Sequence, residues 1–351
     1  IYIIYIYIYH IYMQNLIYIE KFHIYDIFYR EDCYYVICPN GPGTVNNKFL
    51  LKPYGGLLNI KLNNKTFDYF SNDRSIIYFC QEKYYPNIKL IINDIKYNIT
   101  IGLYPKLDEQ DVILQTMVKH EDNIVLQWIK YHLHIGFTKI IIYDNAKSPK
   151  TRYQSKETTS NLKELLKDYI LNEKVIYIDW PYAKNSSDNG QITAQNHCLY
   201  LFNNVNYIGF FDIDEYINIE KYENCNNIID VLNHELSSSS SGVTICSKFF
   251  HNKNKINEDK YNFLKVIDYK YRENLINYSR KNICKPQNVK IIRNHDYESK
   301  NNAKRHYLYH FDKLYFNHYY FLNKSNRGNE PCEYTDNSLV KYIDILQNEN
   351  K

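Results

Sequence analysis

The sequence predicts an α/β domain preceded by a small β-rich module. From residue 111 onward, apolar segments of strand length alternate with segments of helical periodicity. Such alternation is typical of a mixed, mostly parallel sheet that is flanked by helices and buried on both faces. Residues 21–105 instead contain short strands separated by turns, without a sustained helical pattern. We therefore predict a β-rich module over 21–105, the α/β domain over 106–335 and a tail over 336–351.

Residues 1–20 form a low-complexity leader of alternating Ile and Tyr. The period of two is compatible with a strand. The stretch up to Ile19 carries no formal charge when His10 is neutral, so the alternative is a membrane anchor, with membrane association through the N-terminus. Against an anchor, His10, Gln14, Asn15 and the many Tyr hydroxyls are costly in hydrocarbon. The sequence leaves both interpretations open.

The composition argues against two classes of function. The 351 residues include 43 basic and 39 acidic side chains, so the net charge is only +4. A net charge this small does not indicate a protein that binds nucleic acid over its surface, and we expect no nucleic-acid partner. The eight cysteines include no CxxC pair, which argues against a zinc site.

The α/β alternation can be assigned element by element. Apolar strands are predicted at 111–118, 137–145, 174–180 and 206–214, and helices at 120–136, 159–171 and 190–204. Gly136 stands where a helix C-cap is expected, and Thr159 or Ser160 can cap the second helix. The first helix carries His132, which we expect to be a packing residue. Further strands, as a mixed extension of the sheet, are predicted at 242–250, 261–271, 288–296 and 304–316.

Polar residues follow three of the predicted strands at their carboxyl ends. Asp144 and Asn145 end the second strand, Asp179 ends the third, and Asp212 and Asp214 end the fourth. Ligands of open α/β sheets bind at this edge of the sheet. The sequence therefore predicts a polar rim there, with a binding site on it.

The two aspartates of the fourth strand predict a metal site. Alternate residues of a strand share a face, so Asp212 and Asp214 would face one divalent cation. Glu215 would point away unless the strand has ended before it, and it could orient the loop or reach the acceptor. Their hard oxygen ligands suit Mg²⁺ or Mn²⁺, and substrate phosphates commonly complete such a shell. The expected chemistry is transfer away from a diphosphate. The alternative is that these acids form a solvated turn or cap a helix.

Several blocks of the sequence resemble glycosyltransferase family 92 and its family 2-like relatives. The blocks are "TMVKHEDNIVLQWIKYHLHIGFTKIIIYDNAKS", "FFDIDEYI" with Gln191 on the helix before it, "NICKPQNVKIIRNHD" and "NHYYFLNKSNRG". The first keeps the family's Lys119, Glu121, Trp128, Tyr131, His132, Gly136, Tyr143, Asp144, Asn145 and Ser148. The four blocks stand in the family's order and cover roughly residues 111–330.

The resemblance implies a GT-A fold, a UDP-sugar donor and a Mn²⁺ or Mg²⁺ ion. It also implies inverting transfer, with galactose as the sugar known among members, to a hydroxyl of a glycan or a protein-linked sugar. Asp212 and Asp214 would hold the metal and the diphosphate, with His318 closing over them. The residues that would bind the nucleotide-sugar are Lys119, Glu121, Asp144, Asn145, Gln191, Lys324 and Arg327.

The catalytic base is the part of the predicted site with several candidates. An inverting enzyme needs a general base for the acceptor hydroxyl, and Glu215, His251 and Asp296 are the candidates. The family's aromatic block near "SKFFHNKNK" lacks its usual Gly and Trp here, and Gln127 replaces a usual acid. These departures leave the acceptor open.

Two other functions remain compatible with the sequence. One is another metal-dependent nucleotidyl or phosphoryl transferase, and the other is a catalytically degenerate glycosyltransferase that acts as a binding module. The compartment also stays open. Cellular relatives are commonly anchored in membranes of the secretory pathway, such as the Golgi, whereas viral and bacterial ones can be cytoplasmic.

Overall fold

The computed structural model describes residues 17, 19, 24–39, 42–45, 48–53, 57–72, 74–102, 104–147, 161–180, 187–220, 222, 224–251, 271–272, 277–293, 295–308, 314–319, 334–342 and 344. The predicted leader therefore lies almost wholly outside the described residues. The same holds for the helix caps at Thr159 or Ser160, for Lys324 and Arg327, and for most of the strand predicted at 261–271.

Strands make up all the regular structure described between residues 24 and 102. They are β1 (Asp26–Arg30), β2 (Cys33–Pro39), β3 (Pro42–Val45), β4 (Lys48–Pro53), β5 (Ile60–Leu62), β6 (Lys65–Thr66), β7 (Asp68–Ser71), β8 (Ser75–Gln81), β9 (Asn87–Ile92) and β10 (Ile95–Thr100). They form two four-stranded antiparallel sheets, in the orders β1-β2-β8-β7 and β10-β9-β5-β6, and a β3-β4 pair. A tight turn at Asn93 and Asp94 joins β9 to β10, and both residues have positive φ (46° and 67°), as such hairpin turns require.

Helices and strands alternate in the next part of the chain. The elements are β11 (Val112–Val118), α1 (Asp122–His134), β12 (Lys139–Asp144), α2 (Leu162–Leu165), α3 (Lys167–Leu171), β13 (Val175–Asp179), α4 (Ser187–Leu201), β14 (Tyr207–Phe210), β15 (Glu215–Asn218) and α5 (Ile228–Glu235). The last part is β16 (Ser240–His251), β17 (Tyr271–Arg272), β18 (Asn277–Cys284), β19 (Val289–Ile292), β20 (Tyr297–Ser299), β21 (Lys304–Leu308), β22 (Tyr315–His318) and β23 (Tyr334–Thr335), with single 3₁₀ turns at Pro286–Asn288 and Val340–Tyr342.

Most of these strands belong to one large mixed sheet. Its first half has the order β13-β12-β11-β14, and all neighbours in it are parallel. Beyond β14 the order continues through β18, which is antiparallel to both β14 and β16. β21 and β22 run parallel to β16, and β15 runs antiparallel to β22. The mixed α/β fold is confirmed, but the sheet is parallel throughout only in its first half.

Two predicted elements have different bounds in the structure. The helix predicted at 159–171 is two short helices, because the backbone at Leu166 leaves the helical region (φ −92°, ψ 2°). The fourth strand, predicted to end at 214, ends at Phe210, because the chain turns at residues 212–215. β15, β18 and α5 were not predicted from the sequence.

The strand-rich N-terminal part shares a hydrophobic core with the α/β part. Phe28 and Tyr35 of the first sheet pack in the same buried cluster as Tyr143 of β12. A buried polar pair crosses the same boundary: His197 Nε2 donates to Asp26 Oδ2 (3.0 Å), and its Nδ1 accepts from the Tyr143 hydroxyl (2.7 Å). The boundaries of the predicted domains remain predictions.

Two further features bear on membranes and disulfides. Within the part of the chain that the structure describes, no helix is long and apolar enough to cross a membrane. All seven described cysteines are free thiols.

Candidate active site

The carboxyl ends of the parallel strands lie side by side. Val118 at the end of β11 is opposite Asp144 of β12, which in turn is opposite Asp179 of β13. On the other side of β11, β14 ends at Phe210, opposite Gln115. The polar residues that sequence reasoning placed at a common rim therefore do lie along one edge of the sheet.

Residues 212–215, here called the acidic turn, follow β14. The Glu215 N–H donates to the Asp212 carbonyl oxygen (3.1 Å), and the Asp212 N–H donates to Glu215 Oε2 (2.8 Å). The prediction that Asp212 and Asp214 share one face of a continuing strand is wrong, since the strand has ended. Because the strand has ended, Glu215 does not point away but turns its carboxylate back to accept from the Asp212 N–H.

Strand pairing brings His318 to the acidic turn. Glu215 of β15 lies opposite His318 of β22 in their antiparallel register. His318 Nε2 is 3.4 Å from Asp214 Oδ2, and His318 Nδ1 is 3.7 Å from Glu215 Oε1. All three residues are buried, and each offers one ligand atom within 4.8 Å of the others. We call Asp214, Glu215 and His318 the carboxylate–imidazole cluster.

Lys281 completes this site and was not singled out from the sequence. Its Nζ is 2.7 Å from Asp212 Oδ2 and 3.1 Å from Glu215 Oε2, and its side chain is only 7% exposed. Gln191, near the start of α4, donates from Nε2 to Asp212 Oδ1. The Asp212 carboxylate, at 37% exposure the most open of the turn, is therefore held by two side chains.

The groups of the site shift one another's protonation. Burial raises the pKa of Glu215 above its ordinary value, and the neighbouring Asp212 carboxylate adds to the effect of burial. Burial raises the pKa of Asp212 as well, but the Lys281 ammonium outweighs it and leaves that pKa below its ordinary value. The pKa of Lys281 is raised, because these two carboxylates outweigh the effect of burial. Lys281 is thus a charged ammonium at neutral pH.

Two further site residues respond to the same charges. Burial raises the pKa of Glu121 well above its ordinary value, and the Asp214 and Asp212 carboxylates raise it further. Burial lowers the pKa of His318, but Asp214 and Glu215 outweigh it, so the net shift is upward. Four carboxyl groups therefore surround one lysine and one histidine, and the site has an excess of acidic groups.

Helix α1 holds the backbone just after the acidic turn. The Trp128 indole N–H donates to the Glu215 carbonyl (2.8 Å), and the Tyr131 hydroxyl donates to the Ile217 carbonyl (2.6 Å). His132 Nε2 accepts from the Ile217 N–H (3.4 Å). Burial lowers the pKa of His132 to about 3, so the ring is neutral. His132 is thus a packing residue, as predicted, and all three side chains fix β15.

A second group of polar residues lies at the ends of β12 and β13. The Tyr177 hydroxyl donates to Asp144 Oδ2, and the Ala146 N–H donates to Asp144 Oδ1 (2.9 Å). The Asn145 side chain donates to the Trp180 carbonyl (3.0 Å). These contacts fix Asp144 and Asn145 on the edge that also carries the acidic turn. Glu121, which the resemblance also assigns to nucleotide-sugar binding, lies close enough to the acidic turn for the Asp214 and Asp212 carboxylates to raise its pKa.

The remaining predicted residues are dispersed. Lys119 follows β11, and burial lowers the pKa of its ammonium group. Asp296 lies between β19 and β20 and pairs with Arg305, and none of its described contacts reaches the acidic turn. His251 ends β16, and its side chain lies outside the described residues. Phe249, two residues earlier, packs its ring 5.0 Å from that of His318, so the aromatic block of β16 does border the site.

Comparison with models of known protein families assigns the chain to one family. The family model of glycosyltransferase family 92 matches residues 112–350, which is most of the chain and includes the whole acidic turn. The chain belongs to glycosyltransferase family 92. The family predicted from the sequence blocks is thereby confirmed.

Two further comparisons do not add to this family assignment. No curated protein matches the chain. Among solved structures, the chain is similar to the apo structure of the WbbM bifunctional glycosyltransferase, with 12% identity and a TM-score of 0.27. That similarity covers 43% of this chain and 26% of the other, so the chain spans about a quarter of the length of the solved protein.

Proposed function

We propose that this family 92 protein is a metal-dependent glycosyltransferase that uses a UDP-sugar donor. Galactose is the sugar that the resemblance favours, the acceptor is a hydroxyl of a glycan or protein-linked sugar, and the transfer inverts the anomeric carbon. The observation that carries the proposal is the carboxylate–imidazole cluster at the carboxyl edge of the parallel strands. A GT-A fold is part of the proposal, supported by the parallel half-sheet with an acidic turn at its edge.

The carboxylate–imidazole cluster fits a divalent cation. Carboxylate oxygens and an imidazole nitrogen together suit Mn²⁺, and the oxygens also suit Mg²⁺. Glu215 Oε1 is buried and accepts no hydrogen bond from the described residues, so it can serve a ligand. Asp214, Glu215 and His318 would therefore hold the ion, rather than the pair Asp212 and Asp214. The bound ion would stabilise the negative charge that develops on the departing diphosphate.

Other residues of the chain would orient the donor. Asp144, fixed by the Tyr177 hydroxyl, presents a carboxylate to which ribose hydroxyls can donate. Asp212 anchors the amide of Gln191 and the ammonium of Lys281, two groups that can donate to phosphate oxygens. Both sets of groups lie on one edge of the sheet, as binding of the two parts of a nucleotide diphosphate requires.

Two of the three candidates for the catalytic base, Glu215 and Asp296, differ in their burial and in their ion-pair partners. Glu215 is 1% exposed and already engaged by Lys281, which makes it a poor partner for an acceptor hydroxyl. Asp296, in the turn between β19 and β20, forms an ion pair with Arg305, and none of its described contacts reaches the acidic turn. We therefore favour the β16 segment around His251 as the acceptor side, because its neighbour Phe249 packs against His318.

The test is release of UDP from UDP-galactose with Mn²⁺, comparing the wild type with Asp214→Asn. Loss of a metal-binding carboxylate should lower kcat/KM on the order of 10³-fold. Asp68→Asn, which changes an exposed acid of β7, is the matched control and should keep full activity. Equal turnover by wild type and Asp214→Asn would refute the proposal. Phosphoryl or nucleotidyl products would favour the other transferase class, and nucleotide binding without turnover would favour a binding module.

A further inference from the structure

The proposed function gives the Lys281 ammonium a role towards the donor phosphates but leaves its effect on the metal ion open. It is held 2.7 Å from Asp212 and 3.1 Å from Glu215, and almost none of its side chain is exposed. Its strand, β18, is hydrogen-bonded on both sides, to β14 and to β16, so the backbone that carries Lys281 is firmly placed. The backbone is therefore fixed, and the two carboxylates hold the ammonium in the acidic turn.

The ammonium contacts one of the residues that would hold the metal ion. Lys281 lies 3.1 Å from Glu215 Oε2, while Glu215 Oε1 faces His318 on the other side of the same carboxylate. A divalent cation that uses Glu215 is thus placed beside an ammonium group. Two like charges at such short range repel each other strongly in a buried site, where the effective dielectric is well below that of water.

We propose that Lys281 is a tethered cation that makes divalent-ion binding dependent on the donor diphosphate, an inference that rests on the proposed function. Without nucleotide, Lys281 neutralises part of the acidic turn and weakens the binding of a free ion. A bound diphosphate accepts the Lys281 ammonium in place of Glu215, which removes the repulsion that the ion meets there, so ion and nucleotide bind with positive coupling. Because such coupling is reciprocal, the ion strengthens nucleotide binding by the same factor.

The test is calorimetric titration of the full chain with Mn²⁺, in the absence and in the presence of saturating UDP. Lys281→Met should bind Mn²⁺ alone about ten-fold more tightly than the wild type, and its coupling factor should fall about as much. Lys281→Arg keeps the charge and should keep the coupling. Lys285→Met removes the lysine that directly follows β18 and donates to the Ser237 carbonyl instead, and it should behave as the wild type. Complexes of Mn²⁺ with UDP in solution are the same in every titration and cancel in the comparison.

An unchanged Mn²⁺ affinity and coupling factor in Lys281→Met would overturn the inference. If that variant does not fold, because Asp212 and Glu215 lose their counter-charge, the double variant Asp212→Asn/Lys281→Met keeps the local charge and should show the same loss of coupling. A wild type that transfers sugar with Mn²⁺ but binds the ion equally with and without UDP would overturn this inference alone. A wild type that binds neither Mn²⁺ nor UDP would overturn the proposed function as well.

Discussion

Buried His132 should make the stability of the protein depend on pH in a defined window. Burial lowers its pKa to about 3 in the folded chain, against about 6.5 for an exposed histidine. Between these values the unfolded chain binds one more proton than the folded chain, so the free energy of unfolding falls as the pH falls. The loss between pH 7.5 and pH 5 is about 2 kcal/mol from this one side chain.

The measurement is urea unfolding of the wild type and of His132→Gln at pH 7.5, 6 and 5. The variant is less stable at pH 7.5, because it disturbs a buried contact with β15, but its free energy of unfolding should fall by about 2 kcal/mol less on going to pH 5. His134→Gln, which changes the exposed histidine on the same helix, is the control and should keep the wild-type pH dependence. Parallel pH profiles for the wild type and His132→Gln would refute the reasoning.

Three further predictions use other contacts. Gly242→Ala places a methyl 2.4 Å from a β18 carbonyl at φ +146° and should lower the free energy of unfolding in guanidinium by about 2 kcal/mol or more. Gly209→Ala should lower it less, because the one close approach of its methyl, 2.7 Å, is to the end of the Leu114 side chain, and its next neighbours lie at 3.4 and 3.5 Å. Tyr177→Phe removes the hydroxyl bound to Asp144 and should weaken calorimetric UDP binding about five-fold, with unchanged affinity counting against Asp144 as a nucleoside contact. Asp26→Asn should destabilise the whole chain by about 1–3 kcal/mol in one unfolding transition, because its partner histidine lies in the core that both parts of the chain share, and loss of the N-terminal strands alone would contradict this.

The parallel half of the sheet was predictable because its strands are buried on both faces. Such strands appear in the sequence as continuous apolar runs, and β11, β12 and β13 were found within two residues of their predicted bounds. The polar rim followed from the same reasoning, since Asp144 and Asp179 end two of these runs and lie opposite each other. Local sequence was sufficient here because the strand ends themselves define the edge of the sheet.

The contacts of the acidic turn could not be predicted in the same way. A run of apolar residues does not show where a strand stops, and the turn at 212–215 is closed by the Glu215 side chain bonding back to the Asp212 backbone. Lys281 lies 69 residues further along the chain than Asp212, on a strand rich in polar residues that gave no clear strand pattern. Only the pairing of β18 with β14, a long-range contact, brings the two together.

The family motif of helix α1 illustrates why a resemblance locates a site without defining its chemistry. Trp128, Tyr131 and His132 all bond to the backbone of β15 and are all fully buried, so they act on the site through the position of Glu215. The strand they fix also pairs with the strand of His318, which means that both ends of the carboxylate–imidazole cluster depend on the same backbone. A change at Trp128 should therefore alter metal affinity and stability together, whereas a change at Lys281 should alter the coupling between metal and nucleotide. Trp128 belongs to the family pattern and Lys281 lies outside the blocks that carry it, so the contacts, and not the resemblance, define what each residue does.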